Sequence, residues 1–221
     1  MAKPTARRAQ PPTDITLPVL TPLDAADLAA HGDYDAVLVA DADLAGLHLE
    51  GAAFLASHLD RCGLDEVSLR RGRLTECLLT EVHAVSLDVA DVVWREALVV
   101  DPRIGALSAP GATWDNIRIR GGKLDFVNLS GAKLTDVVFE RCVVGELDLG
   151  QAQVQRLRFD GVKLGVLDCT GARLVDADFT GAEIGAVRGI DGLRGATFST
   201  SQLLDLAPLL AAHLGVRIRA D

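Results

Sequence analysis

Ala172-Arg173-Leu174-Val175-Asp176-Ala177-Asp178-Phe179-Thr180-Gly181-Ala182-Glu183-Ile184 is the stretch that decides how the chain folds. A bulky apolar residue recurs at 174, 179 and 184, and alanine stands two positions before each. The period is five. Neither a helix, at 3.6 residues per turn, nor a strand, with its period of 2.0, puts these side chains on one side. A five-residue unit with two inward residues is a short extended segment followed by a turn.

Toward the N-terminus the register continues unbroken to Leu44. All 29 centres from Leu44 to Ile184 are apolar, and none of the positions two before a centre is charged. Nearly all the charge therefore falls on the other three positions. A second period lies over the first. Positions 47, 67, 87, 107, 127, 147 and 167 hold Leu or Val, whereas 52, 112, 132, 152 and 172 hold Ala. Side-chain size thus repeats every 20 residues, so four five-residue units make one coil with four faces. This reads as an all-β solenoid of about seven coils, roughly 34 Å long at the ~4.8 Å spacing of paired strands. The register is weakest from Val82 to Pro110, where centres shrink to Ala84 and Ala109. Pro102 occupies an inward position there, which predicts a bulge, kink or missing bond.

Ala42-Asp43-Leu44, Ala132-Lys133-Leu134, Ala172-Arg173-Leu174 and Ala177-Asp178-Phe179 match the pattern A(D/N)LXX. On these residues the chain resembles the pentapeptide-repeat family over about two thirds of its length. The resemblance implies a right-handed quadrilateral β-helix. Within that family, Qnr- and MfpA-type quinolone-resistance proteins are acidic dimeric rods that engage DNA gyrase or topoisomerase IV. This chain carries no long insertion between units and is more similar to the loop-free MfpA type.

A solenoid exposes its terminal coils and needs caps. Residues 1–20 read as a mobile tail and 21–40 as an N-terminal cap. In the cap, Thr21, Pro22 and Asp24 predict a short helix over about 22–30. The β-helix proper is assigned to 41–188. Residues 189–221 form a C-terminal segment for capping or dimerisation. Ser199 to Gln202 has capping-box spacing, and a helix should run to about Leu214 with Gly215 as its stop. Leu203, Leu204, Leu206, Leu209, Leu210 and Leu214 wrap more than one face of it, and Val216 and Ile218 alternate with arginines as a pairing strand would. The resemblance implies a homodimer through this helix, with Leu203, Leu206, Leu209, Leu210, Leu214, Val216 and Ile218 as its interface. A simple cap remains the other reading.

No stretch is long and apolar enough for a transmembrane helix. No apolar run follows Lys3, Arg7 and Arg8, so no secretory signal is expected. Cys62, Cys77, Cys142 and Cys169 all fall at inward positions without metal-finger spacing, and a cytoplasmic location is expected. His48, His58 and His83 point outward with no Cys facing them. No catalytic, cofactor-binding or metal-binding constellation is legible, and a non-enzyme is expected. Trp94 and Trp114, one coil apart on one face, read as a core pair.

The net charge of -9 argues against direct nucleic-acid binding. The acidic excess gathers on the two adjacent faces centred on Leu44 and Leu49. They carry Asp43, Glu50, Asp65, Glu66, Asp88, Asp91, Asp125, Glu146, Asp148, Asp168 and Glu183 against only Arg70, Arg71, Arg103, Lys123 and Lys163. Two functions fit. One is a DNA-mimicking rod that occupies the cationic DNA channel of a type II topoisomerase such as gyrase. The other is a scaffold for an unknown protein partner.

Overall fold

The structure, a computed structural model, describes residues 9–217. Every strand pairing in it is parallel, and most join residues 20 apart. Trp94 lies beside Trp114, Ile117 beside Val137 and Phe139 beside Phe159. One turn of chain is therefore 20 residues, and residues 20 apart stack in columns along a β-solenoid. The ladder that starts with Thr21 beside Val37 climbs to Ala177 beside Ala196. That makes about nine turns rather than the expected seven, a rod of roughly 43 Å. The fivefold count fell short because the end rungs leave the 20-residue spacing. Thr21 meets Val37 at 16 residues and Ala177 meets Ala196 at 19.

The corners have a conformational signature. Among the described residues eighteen non-glycines take positive φ, all at numbers ending in 1 or 6, including Asp41, Arg61, Glu81, Asp101 and Arg141. A left-handed L-residue costs roughly 1 kcal/mol. The ladder offsets it: Asp41, Arg61, Glu81, Asp101 and Arg141 each donate their backbone N–H to the next turn, at 2.7–2.9 Å. From Ser86 upward one corner column abandons positive φ, and the segments 83–88, 103–108, 123–128 and 143–148 run extended through it.

Inward centres form one core from end to end. Trp114 is fully buried and meets Trp94 edge to face at 5.4 Å and 86°, the arrangement that ring quadrupoles favour. Phe139, Phe159, Phe179 and Phe198 stack in a ladder with centroids 5.1–5.4 Å apart. Phe198 closes this ladder from outside the fivefold register.

No kink forms at Pro102. It is buried, and the bonds on either side hold register, Asp101 N–H to Arg120 C=O at 2.8 Å and Arg103 N–H to Val82 C=O at 2.9 Å. The amide missing from proline sits between two ladder donors, so none is lost. Its neighbour adapts: Gly122 takes φ +68°, where a Cβ would lie 2.2 Å from the Pro102 carbonyl oxygen. Register shifts instead between Arg158 and Val162.

The expected N-terminal helix is also absent. Thr21–Pro22 is a strand, and the Thr21 and Leu23 amides donate to Ala36 and Leu38 at 2.8 Å. His31 takes φ +59°. Too few residues remain between these fixed points for an α-helix, and Asp24 caps a single 3-10 turn, Ala25–Asp27. At the other end helix α1 spans Thr200–His213 with the expected Ser199–Gln202 capping box. Among the described residues no helix is long and apolar enough to cross a membrane.

Candidate functional site

The outer columns of the rod carry the candidate residues, and backbone chemistry governs them. Asp43, Asp88, Asp148 and Asp168 each accept, through Oδ1, the backbone N–H two residues on, at Ala45, Ala90, Gly150 and Thr170 (2.7–3.1 Å). Asn128 does the same for Ser130 at 2.9 Å in the column of Asp88, Asp148 and Asp168. These side chains cap corners, which is why Asx residues recur there. Asp65 reaches to the next turn and accepts from the Val85 and Ser86 amides at 3.0 and 3.2 Å.

Cations neutralise part of the predicted acidic set. Asp88 pairs with Arg70 at 3.0 Å, Asp125 with Lys123 at 2.7 Å and Glu146 with Arg188 at 2.9 Å. Glu50 lies 3.2 Å from His48. Its carboxyl is held down to about 2, chiefly by a hydrogen bond from its own backbone, with the His48 ring adding to it. Asp43, Asp65, Glu66, Asp91, Asp148, Asp168 and Glu183 have no ion pair among the described residues. Asp148 and Asp168 are direct ladder partners, so their like charges stand in register one rung apart.

The two predicted faces differ in a way that counting charges concealed. On the Leu44-centred side His83, Arg103, Lys123 and Lys163 follow one another in a single column, broken only by Val143. Beside it Val85, Phe126 and Val143 are exposed. Gly145, Gly165 and Gly185 flatten the surface, and a Cβ on Gly165 would sit 2.4 Å from the Gly145 carbonyl oxygen. This side combines an apolar patch and a cationic column with the six acids Asp43, Asp65, Glu66, Asp125, Glu146 and Glu183. The Leu49-centred face carries Glu50, Asp88, Asp91, Asp148 and Asp168, an acidic ledge, together with Arg70 and Arg71.

Elsewhere on the rod, His58 Nε2 lies 2.8 Å from Thr80 Oγ1, which also contacts Asp60. Arg61 clasps Asp41 through Nε and Nη2 at 2.7 and 2.8 Å and also contacts Asp60. Burial lowers the His58 pKa, with the Asp60 charge opposing. The group ties three turns together. All four cysteines are buried and free, and burial pushes Cys77 up to about 11 and Cys142 and Cys169 to about 12. Among the described residues no cluster of His, Cys, Asp and Glu has the geometry to hold a metal ion.

At the C-terminal end Gln202, legible in sequence only as a capping-box residue, also closes the solenoid. Its Nε2 donates to the Phe179 and Ala182 carbonyls at 2.8 and 2.7 Å. Leu206 packs on the core, while Leu203, Leu204, Leu209, Leu214 and Val216 are exposed, and Leu210 is half-buried. Ile218 lies outside the described residues. Between α1 and the Gly145–Gly165–Gly185 column opens a groove of about 770 Å³ whose lining includes Lys163, Glu183 and Asp205.

A strictly parallel ladder with a 20-residue step, built on a five-residue inward register, decides the architecture. The chain is a parallel β-solenoid with a 20-residue turn. No family model and no curated protein matches it in sequence. Solved structures with a similar fold include full-length QnrB1, a plasmid-mediated fluoroquinolone resistance protein. It is 15% identical, covers 84% of this chain and 100% of its own, and has a TM-score of 0.30. HetL, a pentapeptide repeat protein involved in heterocyst differentiation regulation in the cyanobacterium Nostoc sp., is 18% identical. It covers 79% of this chain and 93% of its own, with a TM-score of 0.31.

Proposed function

We propose that this pentapeptide-repeat chain is a non-catalytic interaction rod, right-handed and four-sided, whose acidic ledge occupies a cationic DNA-binding channel. The partner class is a type II topoisomerase such as DNA gyrase or topoisomerase IV. The carrying observation is the in-register pair Asp148 and Asp168, two like charges one rung apart that form no ion pair among the described residues; Arg188, the next rung beyond Asp168, pairs with Glu146 instead. Stacked like charges cost stability, so a surface that retains them suits a cationic partner. The net charge of -9 along roughly 43 Å is about one charge per 5 Å, against one per ~1.7 Å for duplex DNA. Mimicry at this density is partial, and binding should depend on the ledge rather than on the whole circumference. In this reading α1 joins two copies through Leu203, Leu206, Leu209, Leu210 and Leu214, extended by Val216 and Ile218. The exposed leucines support that arrangement.

A second reading has its own observation. Exposed Val85, Phe126 and Val143 on the flat glycine-lined side fit an apolar protein partner, which would make the rod a scaffold. Gyrase supercoiling and quinolone-poisoned cleavage assays separate the two. Inhibition or protection at micromolar protein supports the topoisomerase reading. No effect, with no gyrase retained on immobilised protein, leaves the scaffold.

A further inference from the structure

One outward column does not behave as an outward column. Arg103, Lys123, Lys133 and Val143 hold outward positions and are exposed, yet Leu98, Arg118 and Val138 at successive rungs are only 2%, 6% and 0% exposed. What lies across them is the chain's own N-terminal segment. Ala9 and Pro11 are buried, Arg118 Nε donates to the Pro12 carbonyl at 2.9 Å and Nη2 to the Pro11 carbonyl at 3.1 Å. Arg118 Nη1 donates to Glu140 Oε2 at 2.7 Å. Burial raises the Glu140 pKa, but the Arg118 bond and charge outweigh it and the net shift is downward. The described part of the expected tail is thus docked at this point.

The chemistry of this contact is selective. Proline has no N–H, so Pro11-Pro12 cannot join the ladder as a strand. Gln10 and Pro11 each precede a proline and are confined to extended or polyproline backbone. Such a segment makes no internal hydrogen bonds, and the backbone of Pro11-Pro12 offers only carbonyl acceptors. A buried guanidinium with its charge already balanced by Glu140 can give two N–H groups to successive carbonyls, and the buried Leu98 and Val138 flank it one rung to either side.

We propose that the Leu98–Arg118–Val138 groove is a recognition site for extended proline-bearing segments of a partner protein, and that residues 9–12 are its resident competitor. The occupant is read from the segment already seated, whose Pro11 and Pro12 carbonyls match the donors beneath them. The short connection of residues 13–20 keeps the competitor at high effective concentration, so an incoming segment binds only when it outcompetes the arm.

The test uses the full chain and a fluorescein-labelled peptide of residues 5–16, read by anisotropy. A Pro11→Gly/Pro12→Gly variant weakens the arm and leaves the groove intact. It should bind the peptide at least 10-fold more tightly than the unaltered chain. Arg118→Met in that background should abolish the gain. A peptide with both prolines replaced by alanine should bind at least 10-fold more weakly, a control that stands even if the Arg118 variant fails to fold. No binding to the arm variant, or equal binding of the alanine peptide, overturns the proposal. So does sedimentation showing dimers that excess peptide dissolves, since the groove would then serve a second copy's arm.

Discussion

Replacing Asp148 by asparagine and by alanine separates the two roles of the acidic ledge. Asp148 Oδ1 accepts the Gly150 N–H at 2.7 Å, and its carboxylate faces that of Asp168 one rung away. An Asx cap of this kind is worth ~1 kcal/mol. Two unit charges about 5 Å apart in water repel by ~0.8 kcal/mol, reduced to roughly half by physiological salt. Asparagine keeps the cap and removes the repulsion, as Asn128 does naturally in the same column. Alanine removes both. Asp148→Asn should therefore be at least as stable as the unaltered chain and ~1 kcal/mol more stable than Asp148→Ala. For a chain of this length that difference is about 2–4 °C in Tm, readable by calorimetry. The pH should be near 7 and the salt low. If asparagine destabilises as much as alanine, the side chain is not a cap and the charge argument built on it fails.

Further outcomes follow from the same geometry. Trp114→Ala should cost ~3–5 kcal/mol, because the ring is fully buried in a one-rung slot. Trp114→Phe should cost much less, since it also removes an indole N–H that is buried without a partner; equal losses in denaturant melts would contradict the packing described. With Cys77, Cys142 and Cys169 raised to about 11–12 by burial, the native protein at pH 8 should resist iodoacetamide and react fully only in guanidinium, as mass spectrometry would show. The His58 pKa is lowered in the fold, so the unfolded chain binds more protons and stability should begin to fall below pH ~6.5. Glu50 and Glu140 are held low, so their contribution is present above ~4.3 and is lost as pH falls through their lowered pKa values, about 2 for Glu50. Tm measured against pH should show both phases, and His58→Gln should erase the first alone. For the proposed dimer, Leu209→Asp should shift the sedimentation mass to that of one chain; an unchanged mass leaves α1 as a cap.

The fivefold register was fully legible because burial selects it. Every rung between Leu44 and Ile184 repeats the same environment, and composition cannot hide that. What escaped the sequence depends on contacts outside the repeat. Phe198 joins the phenylalanine ladder from a 19-residue step, and Thr21 joins the first rung at 16, so counting by five missed both. Pro102 was read as a defect because the register does not reveal which amides enter the ladder. The acids were visible as charge, but their use as corner caps appears only when Asp148 and Asp168 are seen beside the Gly150 and Thr170 amides. Arg103, Lys123 and Lys163 were in the same count, but their alignment in one column appears only in the ladder register. The docking of Pro11 and Pro12 on Arg118 spans more than 100 residues and has no local signature.

The central claim, that the ledge binds through its charge, is tested most directly by the affinity of the purified protein for DNA gyrase. The unaltered chain would be compared with Asp148→Asn/Asp168→Asn across a salt series. The account predicts that binding weakens as salt rises, and that the double variant binds at least 10-fold more weakly with an undiminished Tm. Equal affinity of the two proteins at every salt concentration would contradict it.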